Sequence, residues 1–214
     1  MNSQPRACWS CKGPVLDDLG CGTCGAVQPP DPRRDCFSLF GLPVGFAVDL
    51  ATAEARYRDL QTQFHPDRFA TRSATERRYS LEQVTRLNKC WQVLRDPLER
   101  ATFLLERAGR PLGTLAGSSP QDPEFLLEVM ALREALEGVD PRAPDAMEQI
   151  DALRKPMQRR IIDEVAVMGE AFHRHDRSGD VAALDLVAAG VNRMRYHRRY
   201  LEELDMLEEH ALNA

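Results

Sequence analysis

A proline between two amphipathic patterns most strongly constrains how this chain can fold. Before it, apolar side chains recur at intervals of three and four residues, as they do along one face of a helix. These side chains are Leu50, Ala53, Tyr57, Leu60 and Phe64. Pro66 has no backbone N–H and disfavours helical geometry in the residue before it, so this helix must end at Phe64 or His65.

A second helix is predicted shortly after the proline. Ser73 and Glu76 have the spacing of a capping box, which satisfies two backbone N–H groups at the start of a helix. Apolar residues then keep the helical period at Val84, Leu87, Trp91 and Leu94. The sequence therefore predicts two antiparallel helices whose connecting loop presents His65, Pro66 and Asp67.

Four of the six cysteines lie near the start of the chain, in two Cys-x-x-Cys pairs. The pairs are Cys8 with Cys11 and Cys21 with Cys24. Each pair can bring two thiolates onto one ion, and two pairs complete the tetrahedral sulfur site typical of structural zinc. Because so short a segment cannot bury a useful core, we expect metal binding to supply most of its folding free energy.

The cysteine pattern leaves other chemistry open. Four thiolates also hold iron in rubredoxin-like sites, and cysteine pairs form redox disulfides, although a reducing cytosol disfavours static bridges. The role of the segment is equally open among a folding unit, a surface for self-association and an oxidant sensor. Cys36 and Cys90 lie within helical patterns, where we interpret them as small buried apolar residues rather than ligands.

The chain is predicted to be all-α, with a small zinc-knuckle module ahead of two helical domains. The module and a stiff proline-rich linker at 28–32 occupy residues 1–34. Helices around the His-Pro-Asp loop occupy residues 35–110, and a helix starting at Asp96 with Pro97 at its first position closes that domain. Residues 111–214 are predicted to form a three-helix bundle.

Within the bundle, the first helix is predicted over residues 122–137 and is apolar around most of its circumference. Such a helix is either deeply buried or leaves an apolar patch for a partner. The second is predicted over about 144–175, and Pro156 is expected to kink or divide it. The third follows Asp180.

Composition and charge argue against several classes of function. No apolar run approaches the roughly 20 residues that cross a bilayer, and the start lacks the core of a signal peptide. We therefore expect a cytoplasmic protein, or alternatively a mitochondrial matrix protein that has lost a transit segment. The formal charge is +1 for 1–34, +2 for 35–110 and -8 for 111–214, which disfavours nucleic acid as a partner. No catalytic motif stands out, so we predict that the chain is not an enzyme.

Several segments resemble the HscB family, whose members are J-type co-chaperones of iron–sulfur cluster assembly. The resembling segments are 37–43, 64–70 with the His-Pro-Asp loop, 87–100 and the acidic helix 122–134. The resemblance covers residues 36–209, and the cysteine segment resembles a metal-binding extension found on a subset of the family. It implies a J-domain over 35–110 and a scaffold-binding bundle over 111–214.

The resemblance implies a mechanism with two partners. The J-domain docks on the ATP state of a DnaK-class, HscA-like chaperone and stimulates hydrolysis, while the bundle carries the scaffold protein IscU to it. Asp67 is expected to be the charged contact, with Pro66 fixing the approach and His65 ordering the loop. Arg58 and Arg68 are expected to add electrostatic attraction.

The scaffold-binding residues implied by the resemblance lie on the first and last bundle helices. They are Leu126, Leu127, Met130, Glu134 and Tyr196. Ala131 and Gly138 depart from the family pattern, which more often has acidic residues there. Two other functions stay open: a general J-protein for unfolded clients, and a rubredoxin-like iron electron carrier fused to helices.

Overall fold

The computed structural model describes residues 6–16, 19–112 and 123–213, and these are almost entirely helical outside the cysteine module. Two short strands, β1 (Arg6–Ala7) and β2 (Pro14–Val15), pair antiparallel. The helices are α1 (Cys36–Phe40), α2 (Leu50–Phe64), α3 (Ala74–Arg95), α4 (Pro97–Arg107), α5 (Pro123–Glu137), α6 (Ala146–Ser178) and α7 (Val181–Leu212). The prediction of an all-α chain with an N-terminal cysteine module is confirmed. Contacts divide the chain into two compact units, Met1–Asp96 and Pro97–Ala214.

In the first unit, α2 and α3 form the predicted antiparallel pair around the His-Pro-Asp loop. The helix α2 ends at Phe64, directly before His65 and Pro66, as the proline requires. The helix α3 begins with the capping box of Ser73 and Glu76. Local sequence chemistry therefore fixes both ends of the loop.

The short helix α1 is bound covalently to α3. Asp35 caps its N-terminus, and Gly41 ends it with a φ of 67°, a left-handed conformation that glycine adopts without steric cost. Cys36 and Cys90 are buried, as predicted, but they also form a disulfide that links the two helices. The sequence interpretation of these cysteines as simple apolar residues missed this bond.

The second unit is built on the long antiparallel pair α6 and α7. At Gly190 of α7 an added Cβ would lie 2.8 Å from Met168 Cγ and 2.6 Å from Glu164 Oε1 of α6, so glycine permits close approach of the helices. The helix α6 is not divided at Pro156. Buried residues on both sides of the proline, Ile150 and Met157, belong to one apolar cluster, and this packing holds α6 continuous.

The helix α4 packs against α7 within the second unit. The sequence-based division at residue 110 grouped α4 with the helices of the loop, because its strong N-terminal signal at Asp96 and Pro97 follows α3 directly. Contacts in the structure place the division at Asp96. Across the described ranges, no helix is long and apolar enough to span a membrane.

Candidate functional site

The His-Pro-Asp loop is a short, ordered turn with an exposed carboxylate. Residues Pro66–Phe69 form a single 3-10 helix capped by His65, whose Nδ1 accepts the Asp67 backbone N–H at 3.3 Å. The Asp67 side chain is 91% exposed. The loop therefore holds the backbone of Asp67 and leaves its charge available to a partner.

One basic side chain lies in the loop and another lies further back on α2. Arg68 donates to the carbonyl oxygen of Thr62 at 3.4 Å, which ties the 3-10 helix back to α2. Arg58, one of the residues implied in chaperone binding, pairs with Glu54 along the same helix and its side chain is 75% exposed. Exposed pairs of this kind stabilise little, so the Arg58 guanidinium can change partners at small cost.

The four cysteines of the N-terminal module form one cluster. Their sulfur atoms all lie within 4.8 Å of one another. The Sγ atoms of Cys8 and Cys24 are 3.8 Å apart, and those of Cys11 and Cys21 are 3.7 Å apart. A tetrahedral site with metal–sulfur bonds of about 2.3 Å has sulfur–sulfur edges of about 3.8 Å. The cluster therefore has the size and donor set of a four-thiolate metal centre.

The electrostatics of the cluster favour a bound cation. Burial raises the pKa of the Cys8 thiol, but hydrogen bonds from the Cys11 backbone and the Gln28 side chain help to lower it to about 6. A hydrogen bond from the Gly13 backbone lowers the pKa of Cys11, yet hydrogen bonding with the Cys24 thiol helps to raise it to about 11. The neighbouring thiols therefore do not ionise equally easily, whereas a central cation stabilises all of them as thiolates.

Gln28 is a member of this site that sequence reasoning did not single out. Its side chain is 2% exposed and its Nε2 donates to Cys8 Sγ at 3.3 Å. A buried amide beside a cysteine pair orients the sulfur ligand, as outer groups do in metal sites. In the sequence, Gln28 was only the first residue of the predicted proline-rich linker at 28–32, which does not signal a buried side chain.

The helix α5 carries an exposed apolar patch, which we define as Leu126, Leu127 and Met130. These side chains are 43%, 67% and 67% exposed, whereas Phe125 on the opposite face is buried. Glu134 is also exposed, one helical turn beyond Met130. The structure therefore resolves the alternative left by the sequence: the helix is not buried all round, and three large apolar side chains face solvent in this unit.

Tyr196 of α7 lies against α5 rather than within the exposed patch. Its hydroxyl donates to the carbonyl oxygen of Val129 at 3.2 Å, and its ring packs edge-on against Phe125 at 5.8 Å. Burial raises the pKa of the Tyr196 hydroxyl. The residue thus positions α5, and it is only half-buried.

Comparisons with known proteins show the same architecture. Residues 121–205 match the family model of the HSCB C-terminal oligomerisation domain. A Homo sapiens protein named iron-sulfur cluster co-chaperone protein HscB is 36% identical over 179 residues, which span 82% of this chain and 73% of the relative.

The chain belongs to the HscB family of iron–sulfur cluster co-chaperones. A co-chaperone protein HscB homolog from Azoarcus sp. strain BH72 is 35% identical over 175 residues, 82% of this chain and 94% of the relative. The crystal structure of human co-chaperone protein HscB superposes with a TM-score of 0.74 at 31% identity, covering 94% of this chain and 98% of the other. The resemblance found in the sequence is therefore confirmed for this HscB-family chain.

His197 of α7 is a buried titratable residue in the unit Pro97–Ala214. The residue is 3% exposed, and neither ring nitrogen has a hydrogen-bond partner among the described residues. Burial lowers the pKa of His197, and the charged groups facing it, Glu128, Arg160, Glu164 and Arg193, only partly modify this effect. The folded protein therefore holds the imidazole neutral.

We expect the free energy of unfolding to fall as pH drops below about 6.5, because the unfolded chain then binds a proton that the folded chain excludes. The free energy of unfolding should fall by at most about 1.4 kcal/mol per pH unit, and it should stop falling once the pH is below the pKa of His197 in the folded protein. Urea unfolding at pH 7.5 and 5.5 measures it. His197→Phe should remove this part of the pH dependence, and His173→Gln, at an exposed site on α6, should retain it. Equal pH dependence in His197→Phe and the parent protein would contradict the prediction.

Proposed function

We propose that this chain is a non-enzymatic adaptor that stimulates ATP hydrolysis by a DnaK-class, HscA-like chaperone and delivers the scaffold protein IscU to it. The observation that carries the proposal is the ordered His-Pro-Asp loop with its 91% exposed Asp67 carboxylate, in a chain of the HscB family. A carboxylate held in this way forms a charge-assisted contact with a cation of the chaperone.

The bundle offers a surface for the second partner, the scaffold protein IscU. The exposed patch on α5 offers apolar area that becomes buried when a partner binds, and exposed patches of this kind mark interaction surfaces. Glu134 places a negative charge beside the patch, and Tyr196 places an aromatic ring at the same helix. These features support IscU as the cargo of the unit Pro97–Ala214.

The two halves of the proposal can be tested separately with the full chain. Steady-state ATP hydrolysis by a purified DnaK-class chaperone should rise when the chain is added without a scaffold protein. Calorimetric titration with IscU should show binding without any chaperone. Binding of denatured polypeptides in place of IscU would instead favour a general J-protein. Residence in the cytoplasm stays a prediction from the sequence.

We propose zinc as the ion of the cysteine cluster. Zinc is a d¹⁰ ion without geometric preference of its own, and it accepts the compact four-sulfur arrangement that the cysteines present. Bound there, zinc would hold the two Cys-x-x-Cys turns together and carry no redox chemistry. Iron in the same site would give the electron-carrier function, which the HscB relatives do not suggest by name.

Elemental analysis of the purified protein tests the metal. We expect one zinc ion in each chain, and Cys11→Ser should lower the zinc content at equal protein concentration, because it removes one of four ligands. The matched control is Cys90→Ser, which removes a cysteine outside the cluster and should keep the zinc. Zinc content that is equal in Cys11→Ser and the parent protein, or visible iron–thiolate absorption, would contradict the assignment.

A further inference from the structure

A continuous series of contacts joins the cysteine cluster to the last residue before the His-Pro-Asp loop. We propose that metal occupancy of the cluster orders this loop, through Gln28, Gln83 and Ser80 as positioning residues. The inference rests on the metal binding proposed above, but it does not depend on the identity of the chaperone or the cargo.

The first step joins the cluster to the proline-rich segment. Gln28 Nε2 donates both to Cys8 Sγ at 3.3 Å and to the carbonyl oxygen of Ala26 at 2.8 Å. The Gln28 backbone N–H donates to the carbonyl oxygen of Leu19 at 2.8 Å. Gln28 is therefore held by both cysteine turns, and its position depends on the two turns staying together.

The second step joins that segment to α3. Gln83 is 1% exposed on α3, and its Nε2 donates to the carbonyl oxygen of Gln28 at 2.8 Å. One turn further along α3, Arg86 donates to the carbonyl oxygen of Asp31 at 2.6 Å. Residues 28–32, predicted as a linker, are thus bound along α3 by buried or half-buried hydrogen bonds.

The third step joins α3 to the loop. Ser80 lies one turn before Gln83 on the same face of α3 and is fully buried. Its Oγ donates to the carbonyl oxygen of Phe64 at 2.7 Å. The carbonyl groups of a last helical turn have no partner within the helix, so this bond fixes the end of α2 at the residue before His65.

The cysteine module also contacts the same residue directly. A Cβ added to Gly20 would lie 3.5 Å from Cε1 of the Phe64 ring, which shows how closely the second cysteine turn approaches it. Phe64 is therefore held at its carbonyl by Ser80 and at its ring by the module. Both contacts act on the residue that precedes the loop.

Loss of the metal should weaken both of the contacts that hold Phe64, the one at its carbonyl and the one at its ring. The core of the module is small, with Cys8, Val15, Cys21 and Ala26 as its buried members, so the cluster itself contributes two of them. Without an ion, the cysteine turns lose the bond that holds them in register, and Gln28 and Gly20 lose their fixed positions. The loop then retains only its local hydrogen bonds.

Hydrogen exchange of the full chain tests the inference without any activity assay. The backbone N–H groups of Arg68, Ala70 and Arg72 are hydrogen-bonded within or beside the loop. Removal of zinc by a chelator should speed their exchange by about fivefold or more, the effect of losing roughly one hydrogen bond, while amides of α7 keep their rates. Elemental analysis of the same samples reports the zinc content.

Two variants separate the coupling from metal binding. Gln83→Met, of similar volume, and Ser80→Ala should each speed loop exchange with zinc still bound. Gln92→Met, at an exposed position of α3, is the matched control and should change nothing. Equal loop exchange with and without zinc, in a protein shown to bind zinc, would overturn the coupling alone. A protein that binds no zinc would overturn the metal proposal and the coupling with it.

Discussion

Asp67→Asn is expected to lower stimulation of chaperone ATP hydrolysis at least about tenfold, because it removes the charge of a contact that a neutral amide cannot replace. The side chain is 91% exposed, and the turn Pro66–Phe69 is held by backbone hydrogen bonds and by the Nδ1 atom of His65, which the change leaves in place, so the variant should fold normally. Its binding to IscU should be unchanged, because the exposed patch lies on α5 in the other unit. Steady-state ATP hydrolysis and calorimetry measure the two effects.

Glu82→Gln is the matched control for this variant. Glu82 is an exposed carboxylate on α3 that pairs with Arg78, so the change removes one negative charge from the same unit and leaves the loop intact. Full stimulation is expected. Equal loss of stimulation and of IscU binding in Asp67→Asn would contradict the assignment of chaperone stimulation to the loop and of IscU binding to the bundle.

The second large effect is expected at the exposed patch. Replacing Leu127 and Met130 together by serine removes two apolar side chains that are each 67% exposed, so the folded unit loses little stability. A partner that buries both loses about 1–2 kcal/mol for each, and we therefore expect IscU to bind at least about tenfold more weakly. Calorimetric titration measures the change, while stimulation of the chaperone by the chain alone should persist.

Leu81→Ser is the matched control for the patch. Leu81 is 58% exposed on α3, so the change removes one apolar side chain of comparable exposure from the surface of the other unit. IscU binding should stay at the parent level. Unchanged binding in the double variant of the patch would contradict the assignment of α5 as the scaffold-binding helix.

The sequence predicted those features that depend on neighbouring residues. The end of α2 follows from Pro66, and the start of α3 follows from Ser73 and Glu76, because these residues act within one helical turn. The cysteine cluster was predicted for the same reason, since each Cys-x-x-Cys pair is a local turn. The apolar period also located the helices of the bundle.

Features that depend on distant residues were missed. Cys36 and Cys90 are 54 residues apart, and the helical period shows that each is buried but not that they meet. The burial of Gln28 against Gln83 is a contact across 55 residues, which a proline-rich segment does not signal. The helix α6 is likewise continuous through Pro156, so the division that the local rule allowed did not occur, because residues on both sides of the proline pack into one apolar cluster with α7.

The most direct test of scaffold delivery is steady-state ATP hydrolysis by a DnaK-class chaperone, measured with this chain alone, with IscU alone and with both together. We expect stimulation by the chain and a more than additive rate with both, because the loop and the bundle then act on one chaperone. Stimulation by the chain that IscU leaves unchanged would contradict scaffold delivery, and no stimulation at all would contradict the role of the His-Pro-Asp loop.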